Sequence, residues 1–528
     1  MESVKLSIDG RELTAAKGKT VIQAAAEEGI FIPHYCYHPK LSIAGNCRMC
    51  LVEIEKMPKL QIACNTQVTE GMVVKTQSPK VLEARRAVME FLLINHPVDC
   101  PICDQAGECR LQDFYMEHDL KPSRFEERKE HDRKREIFGP NVIFDGERCI
   151  NCTRCVRFVQ EVTRTEELTV INRGDNATIA LFPGKVLDNP LSANVVDICP
   201  VGALTDRDFR FKVRVWYLKN TPSVCPGCST GCNITIGSYQ NRIARFKPRI
   251  NEEVNSHWIC DEGRYCFHGL TEVERLTSPL IRQEGGLVPA NWDEALKVVF
   301  SGLTAARPPA AVLSGRNTNE EAFLFASFVR RVSSEAGLEV FYQERELSET
   351  EKILKSPDRS PNFRGARDMG AQSNGGFAEL IEALVRGKYN SAYIVGEDLL
   401  GVLPNREEVE TALRKLSFLV VQDTHMTATA NLAHVVLPST HFGEKDGTYT
   451  NRTGRVQRLT AALVAPPGSR QDWEIFSRLL ALAGDGAVYS DPQSIFQDIS
   501  REVSPYRGLS YASIGDEGVQ LTVEPAHS

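Results

Sequence analysis

Sixteen cysteines are the residues of this 528-residue chain with the most evident chemistry. All lie between Cys36 and Cys266, and none follows. The opening segment MESVKLSIDG lacks a charged region followed by an apolar one, so no export signal is expected. In a chain of this size without such a signal, metal ligation is a better expectation than a disulfide framework.

The cysteines fall into four groups. Cys36, Cys47, Cys50 and Cys64 are spaced C-x10-C-x2-C-x13-C. Four thiolates on a wrapping loop suit a [2Fe–2S] cluster, and Ser42-Ile43-Ala44-Gly45-Asn46 lets backbone N–H groups approach the sulfides. A C-x2-C step serves tetrahedral zinc equally well, so this group alone leaves zinc open. The second group is His96, Cys100, Cys103 and Cys109, with Pro97 and Pro101 stiffening its loop. One imidazole in place of a thiolate makes a [4Fe–4S] ligand set less negative, which raises its reduction potential.

Cys149, Cys152 and Cys155 with the remote Cys199-Pro200 carry the spacing of a bacterial-ferredoxin [4Fe–4S] site. Val201 and Ala203 stand where a second group would continue, so one cluster is expected here. Cys225, Cys228, Cys232 and Cys260, spaced C-x2-C-x3-C-x27-C, form a further [4Fe–4S] set, with Gly227 and Gly231 permitting sharp reversals. Fifteen cysteines and His96 thus make four complete sets of four, and this closure argues against zinc. Only Cys266 is left over, and it is expected to pack as a small hydrophobe.

The elements that must position these groups are legible nearby. VKLSIDGRELTA reads as a hairpin with Asp9-Gly10 at its turn, followed by a helix from about Thr20 to Glu28 stopped by Gly29. Residues 80–95 carry apolar side chains at helical spacing and end at His96-Pro97, so this helix delivers His96 to its group. The mixed charges from Lys121 to Glu136 read as a solvated linker or surface helix. Beyond Cys266 the apolar runs AAVLSG, SAYIVG, SFLVVQD and AHVVLP alternate with helical segments such as NEEAFLFASFVRRVSSEAG. That alternation predicts an α/β domain with a largely parallel sheet, whose strand ends are the expected ligand edge.

The net charge of −7 with interspersed signs disfavours nucleic acid, and no apolar stretch is long enough to span a membrane. No strand-linked G-x-G-x-x-G marks an NADH site, and Gly375-Gly376 and the GDG at Gly484 read as loop punctuation. His425, His434 and His441 are expected to be packing or surface residues. Nothing resembles a hydrolase triad, a zinc protease or a P-loop, so no catalytic residue is assigned.

HYCYHPKLSIAGNCRMC, HPVDCPICDQAGEC, RCINCTRCVRF and ICPVGALT, in this order, resemble the large G-type (75-kDa-type) iron–sulfur subunits of respiratory NADH:quinone oxidoreductase, complex I. That resemblance implies a multidomain α+β and α/β chain. A plant-type ferredoxin (β-grasp) domain spans 1–78, a [4Fe–4S] domain with one histidine and three cysteine ligands 79–120, and a ferredoxin-like [4Fe–4S] domain 138–217. It further implies a relay from an NADH/FMN flavoprotein, beside a small [2Fe–2S] subunit, toward the quinone-side hydrophilic subunits. Its expected location is peripheral, on the cytoplasmic face of a bacterial inner membrane. The fourth set, in a domain over 218–274, resembles an additional site off the main relay.

Residues 275–528 resemble the molybdopterin oxidoreductases through NFRGARDMG, AYIVGEDLL and TATANLAHVVLPSTHFGEKDGTYTNRTGRVQ. The sequence departs from catalytic members at Asp261-Glu262-Gly263, where a lysine is common, and in having no cysteine after Cys266. Its end at Ser528 also comes earlier than in those members. The expectation is a truncated, non-catalytic scaffold without molybdenum or pterin. The rival readings are an iron–sulfur subunit of an NAD-linked formate dehydrogenase or hydrogenase, and a zinc-organised structural subunit.

Overall fold

Asp9 (φ 50°) and Gly10 (φ 80°) are both in the left-handed region, as a tight hairpin turn requires. They join strands β1 (Ser3–Ile8) and β2 (Arg11–Ala16) in antiparallel register, with Leu6 opposite Leu13. With β3 (Leu51–Ile54), β4 (Gln61–Ile62) and β5 (Met72–Lys75) they form one sheet in the order β2-β1-β5-β3-β4. The β1–β5 pairing is parallel. A helix at Val21–Glu27, capped at Thr20, covers a core of Leu6, Ile8, Val21, Ile22, Val52 and Val74. This is a mixed β-grasp-like sheet, and its long β2-to-β3 connection carries most of the first cysteine group.

The computed structural model describes residues 2–372, 376–485 and 489–522. Gly375 and Gly486, expected to be loop residues, lie outside the described residues. Two compact units divide the chain at Leu218/Lys219.

The first unit continues with a helix at Pro79–Leu93, whose N-cap Ser78 accepts from Val81 N and whose first turn holds Pro79, where no amide donor is missed. A helix at Arg110–His118 follows the second cysteine group. Strands β6 (Glu136–Ile137) and β7 (Val142–Phe144) come next, then the hairpin β8 (Leu168–Ile171) and β9 (Thr178–Leu181), then β10 (Leu204–Asp206). Strands β10, β7 and β6 pair antiparallel in that order.

The charged segment before Glu136 is neither a helix nor simply solvated. Lys129 Nζ donates to Leu93 O (2.9 Å) and His96 O (2.6 Å), so the segment is strapped across the second cysteine loop. Lys129 reads as solvent-facing in sequence because its partners are backbone carbonyls, which no charge pattern reveals, and Lys134 because its partners Asp99 and Glu147 lie outside the segment.

The second unit opens with an antiparallel meander, β11 (Lys219–Val224), β12 (Asn233–Tyr239) and β13 (Arg242–Pro248). Its main sheet contains β14 (Leu280–Gln283), β15 (Gly286–Pro289), β16 (Pro309–Leu313), β17 (Gly337–Val340), β18 (Ser391–Val395), β19 (Phe418–Asp423) and β20 (Val435–Pro438). The strand order is β15-β14-β20-β19-β18-β16-β17, parallel from β20 to β17 and antiparallel at the β14–β15 edge.

The four apolar runs of the sequence are thus four adjacent strands. Alternate side chains feed two cores. Ala311, Leu313, Tyr393 and Val420 enter one, with the helix Asn319–Val332, and Ala310, Val312, Ile394 and Leu419 enter the other. Burial on both faces explains why these strands read as continuous apolar runs without alternation.

Candidate iron–sulfur sites

Three cysteines of the first group lie in the connection between β2 and β3, and Cys64 follows β4. Cys36, Cys50 and Cys64 are buried and Cys47 is half-buried. Gly45 (φ 62°) and Arg48 (φ 60°) turn the loop, and Cys36 N donates to Cys47 Sγ at 3.5 Å. The thiols influence one another in pairs, Cys36 with Cys47 and Cys50 with Cys64.

His96, just past the end of the Pro79–Leu93 helix, lines one cavity of about 640 Å³ with Cys100, Cys103 and Cys109. His96 Nδ1 is buried and has no hydrogen-bond partner. Burial holds this imidazole down at about 4, so it is neutral at pH 7 and its lone pair is available to a metal. Burial likewise raises Cys103 and Cys109 as free thiols, Cys109 to about 11. Gly202 faces this group: a Cβ there would lie 2.3 Å from Cys103 Sγ. Val201 and Ala203 stand where further ligands are absent, yet the glycine between them is the residue this group needs, and its partner Cys103 is far away in sequence.

Cys149, Cys152, Cys155 and Cys199 line a separate small cavity walled by Phe144, Ile179 and Leu204. Asn151 (φ 51°) and Thr153 (φ 58°) give the loop two left-handed turns, and Asn151 N donates to Cys149 Sγ at 3.4 Å. Backbone N–H groups of Val201, Ala203 and Leu204 point at Cys199, while burial still pushes that thiol up to about 12. Sulfur atoms that are buried yet ringed by donors suit thiolates neutralised by iron.

In the second unit, Cys225, Cys228, Cys232 and Cys260 line a third cavity with Gly263 and Lys355. Gly231 (φ 69°) makes the expected reversal, and Gly263 N donates to Cys260 Sγ at 3.2 Å. A Cβ at Gly263 would lie 3.0 Å from Cys225 Sγ and 3.2 Å from Cys260 Sγ. Lys355, buried at 6% exposure, reaches this cavity from a distant loop and pairs with Glu351 (2.8 Å) and Glu262. Nothing local in the sequence marks it. Cys266, expected to be a small buried hydrophobe, is half-buried, and it lies close enough to Cys225 to help push that thiol up.

Three sets therefore ring cavities, and among the described residues no three His, Cys, Asp or Glu side chains are placed to hold a single ion. Tetrahedral zinc would draw four ligands to about 2.0–2.3 Å from one centre. A cluster instead takes its ligands around a larger body, which the residues present fit.

His434 and His441 serve the backbone, His434 Nδ1 accepting from Leu419 N (2.9 Å) and His441 Nδ1 from Gly443 N (3.1 Å), while His425 Nδ1 lies 3.1 Å from Thr424 Oγ1. Among the described residues no helix is long and apolar enough to cross a membrane.

Family models match in the same order as the sites. They are described as a 2Fe-2S iron-sulfur cluster binding domain (1–79), an NADH-ubiquinone oxidoreductase-G iron-sulfur binding region (85–124) and an NADH-quinone oxidoreductase subunit 3 ferredoxin-like domain (139–205). A molybdopterin oxidoreductase Fe4S4 domain (218–270) and a molybdopterin oxidoreductase model (275–362 and 358–482) follow. The Neurospora crassa mitochondrial NADH-ubiquinone oxidoreductase 78 kDa subunit is 33% identical over 95% of this chain and 83% of its own length. The chain belongs to the family of G-type NADH-quinone oxidoreductase subunits and their mitochondrial 75/78 kDa counterparts.

Other members of the G-type family include the Reclinomonas americana 75 kDa subunit, 31% identical over 94% of this chain and 90% of its own. The G-type NADH-quinone oxidoreductase chain of Rickettsia conorii is 43% identical over 63% of this chain and 49% of its own, so the chain spans about half the length of that relative and of similar Rickettsia proteins. The iron–sulfur and molybdopterin-oxidoreductase-like organisation expected of the G-type family is thus present.

Proposed function

We propose that this chain is the iron–sulfur relay subunit of an NADH:quinone oxidoreductase, peripheral to the cytoplasmic face of a bacterial inner membrane. It holds one [2Fe–2S] cluster on Cys36, Cys47, Cys50 and Cys64. Three [4Fe–4S] clusters lie on His96 with Cys100, Cys103 and Cys109, on Cys149, Cys152, Cys155 and Cys199, and on Cys225, Cys228, Cys232 and Cys260. The observation that carries this reading is the unpartnered, neutral His96 imidazole lining one cavity with three cysteines.

Each cluster supplies one-electron chemistry when bound. The chain's own residues exclude water, present N–H donors to sulfur and hold the ligand loops apart at separate cavities. Electrons enter from an NADH/FMN flavoprotein, beside a small [2Fe–2S] subunit, and leave to the quinone-side hydrophilic subunits. Residues 275–528 are a scaffold without molybdenum or pterin, and the domain limits are 1–78, 79–120, 138–217, 218–274 and 275–528.

His96→Cys tests the ligand assignment. A fourth thiolate adds negative charge that disfavours the extra electron, so the cluster persists at a lower potential. In a redox titration followed by EPR, one [4Fe–4S] signal moves downward and the others stay. If every signal is unchanged, His96 is not a ligand.

A further inference from the structure

Two arginines in the third cysteine loop are buried without an anion. Arg154 is 7% exposed and Arg157 8%. Among the described residues neither makes an ion pair; every partner is a neutral oxygen. Arg154 donates to Ile198 O (3.1 Å) and to Tyr37 O, and its Nε has no partner. Arg157 donates to Cys36 O (2.6 Å), Cys152 O (3.2 Å) and Ser42 O, and through Nε to Thr153 Oγ1 (3.3 Å).

Each guanidinium thus bridges the loop of the first set, residues 36–42, and backbone at or beside ligands of the third. Burying a charge without a counter-charge is costly, so a protein keeps one only where something answers it. Sulfur lies near both: Cys36, Cys152 and Cys199 are in electrostatic reach of Arg154, together with the Arg110 cation, and Cys36 and Cys152 are in reach of Arg157.

The second set makes the contrast. Its buried Arg148 is ion-paired with Asp99 (2.6 and 3.0 Å) and Asp145 (3.5 Å), although its Nη1 makes no hydrogen bond. The unpaired arginines therefore stand beside the two all-cysteine sets of the first unit, and the paired one beside the histidine set. Arg85, fully buried and donating to Leu51 O (3.3 Å), adds another cation on the Cys50 side of the first set.

We propose that Arg154 and Arg157 are the buried counter-charges of the first and third clusters and hold the reduction potentials of both above what four thiolates alone would set. Each reduction adds one negative charge to its cluster, and a cation fixed in a water-poor site favours the more negative state. Because each guanidinium touches both loops, the two potentials move together. They are positioning residues: they touch ligand backbone and no iron.

The inference rests on the cluster assignment proposed above, and the test separates the two. Iron content and EPR of the unmodified full chain come first; missing cluster signals there defeat the assignment and the inference with it. Where the signals are present, Arg154→Gln and Arg157→Gln are each expected to shift the first-set and third-set midpoints downward together. The histidine-set signal stays fixed, and Arg154→Lys and Arg157→Lys return both midpoints toward the original. Cluster-loaded Gln variants with unmoved midpoints overturn the proposal.

Should a Gln variant fail to hold its clusters, the Lys variant decides, since it keeps the charge but not the fork across two carbonyls. Unmoved midpoints then support the charge. A fall in both midpoints shows that the bridging geometry sets them, and overturns the proposal.

Discussion

Replacing Cys152 with alanine is expected to abolish NADH-to-quinone turnover in the assembled complex, while replacing Cys228 with alanine leaves much of it. Cys152 belongs to the third set, whose loop is bound to the first-set loop by Arg157, with hydrogen bonds to Cys36 O and Cys152 O. Loss of a cluster there interrupts transfer within the unit that carries three of the four sets. Cys228 belongs to the other unit, with the molybdopterin-oxidoreductase-like sheet, and the proposed scaffold role of that sheet gives substrate electrons no reason to pass there. The comparison is made at equal complex content, with EPR confirming the loss of one cluster in each variant. If Cys228→Ala is as inactive as Cys152→Ala, the fourth cluster is on the path and residues 275–528 are more than a scaffold.

Lys445→Met is expected to destabilise the second unit by about 3–5 kcal/mol, the usual cost of leaving a buried charge unanswered. Lys445 Nζ lies 2.8 Å from Glu321 Oε2 and 3.0 Å from Asp472 Oδ2, and all three residues are buried. Set against a typical folding stability of about 5–15 kcal/mol, that loss is large.

The pH dependence has a definite sign. Glu321 is already raised to about 7, chiefly by burial, with Lys445 opposing the rise. A carboxyl whose folded value lies above its unfolded value favours the fold at pH below the unfolded value. That contribution is lost as pH rises through the folded value. Removing the lysine takes away the opposing charge, so the defect shrinks as pH falls from 7 toward 4.5. Urea denaturation of the full chain followed by the fluorescence of its four tryptophans, three of them in the second unit, at pH 7 and at about pH 5, gives the comparison. An unchanged midpoint at pH 7, or a defect that deepens at the lower pH, would contradict the electrostatic account of this cluster.

The ligand sets and their supporting elements were legible because their signals are local. A C-x2-C step, a glycine turn or a helix ending at His96 is written within a few residues, and four apolar runs sufficed to announce a parallel sheet. What the sequence concealed is where distant loops meet. Arg157 and Cys36 are 121 positions apart, Lys355 and Glu262 93, and Lys445 and Glu321 124. The same limit explains Gly202, whose need for a missing side chain is set by Cys103. It also explains Lys129, which looks solvated among its charged neighbours while its partners are carbonyls. Cys266 looks like a small packing residue in sequence because its proximity to Cys225 is a tertiary contact.

The most direct test of the central claim is iron and acid-labile sulfide analysis of the anaerobically purified chain, run with EPR and elemental mass spectrometry on the same sample. One two-iron and three four-iron clusters predict about fourteen iron atoms per chain, four separable cluster signals, and neither molybdenum nor tungsten. A colourless protein carrying zinc in place of iron, or one with about one molybdenum or tungsten per chain, would contradict the account.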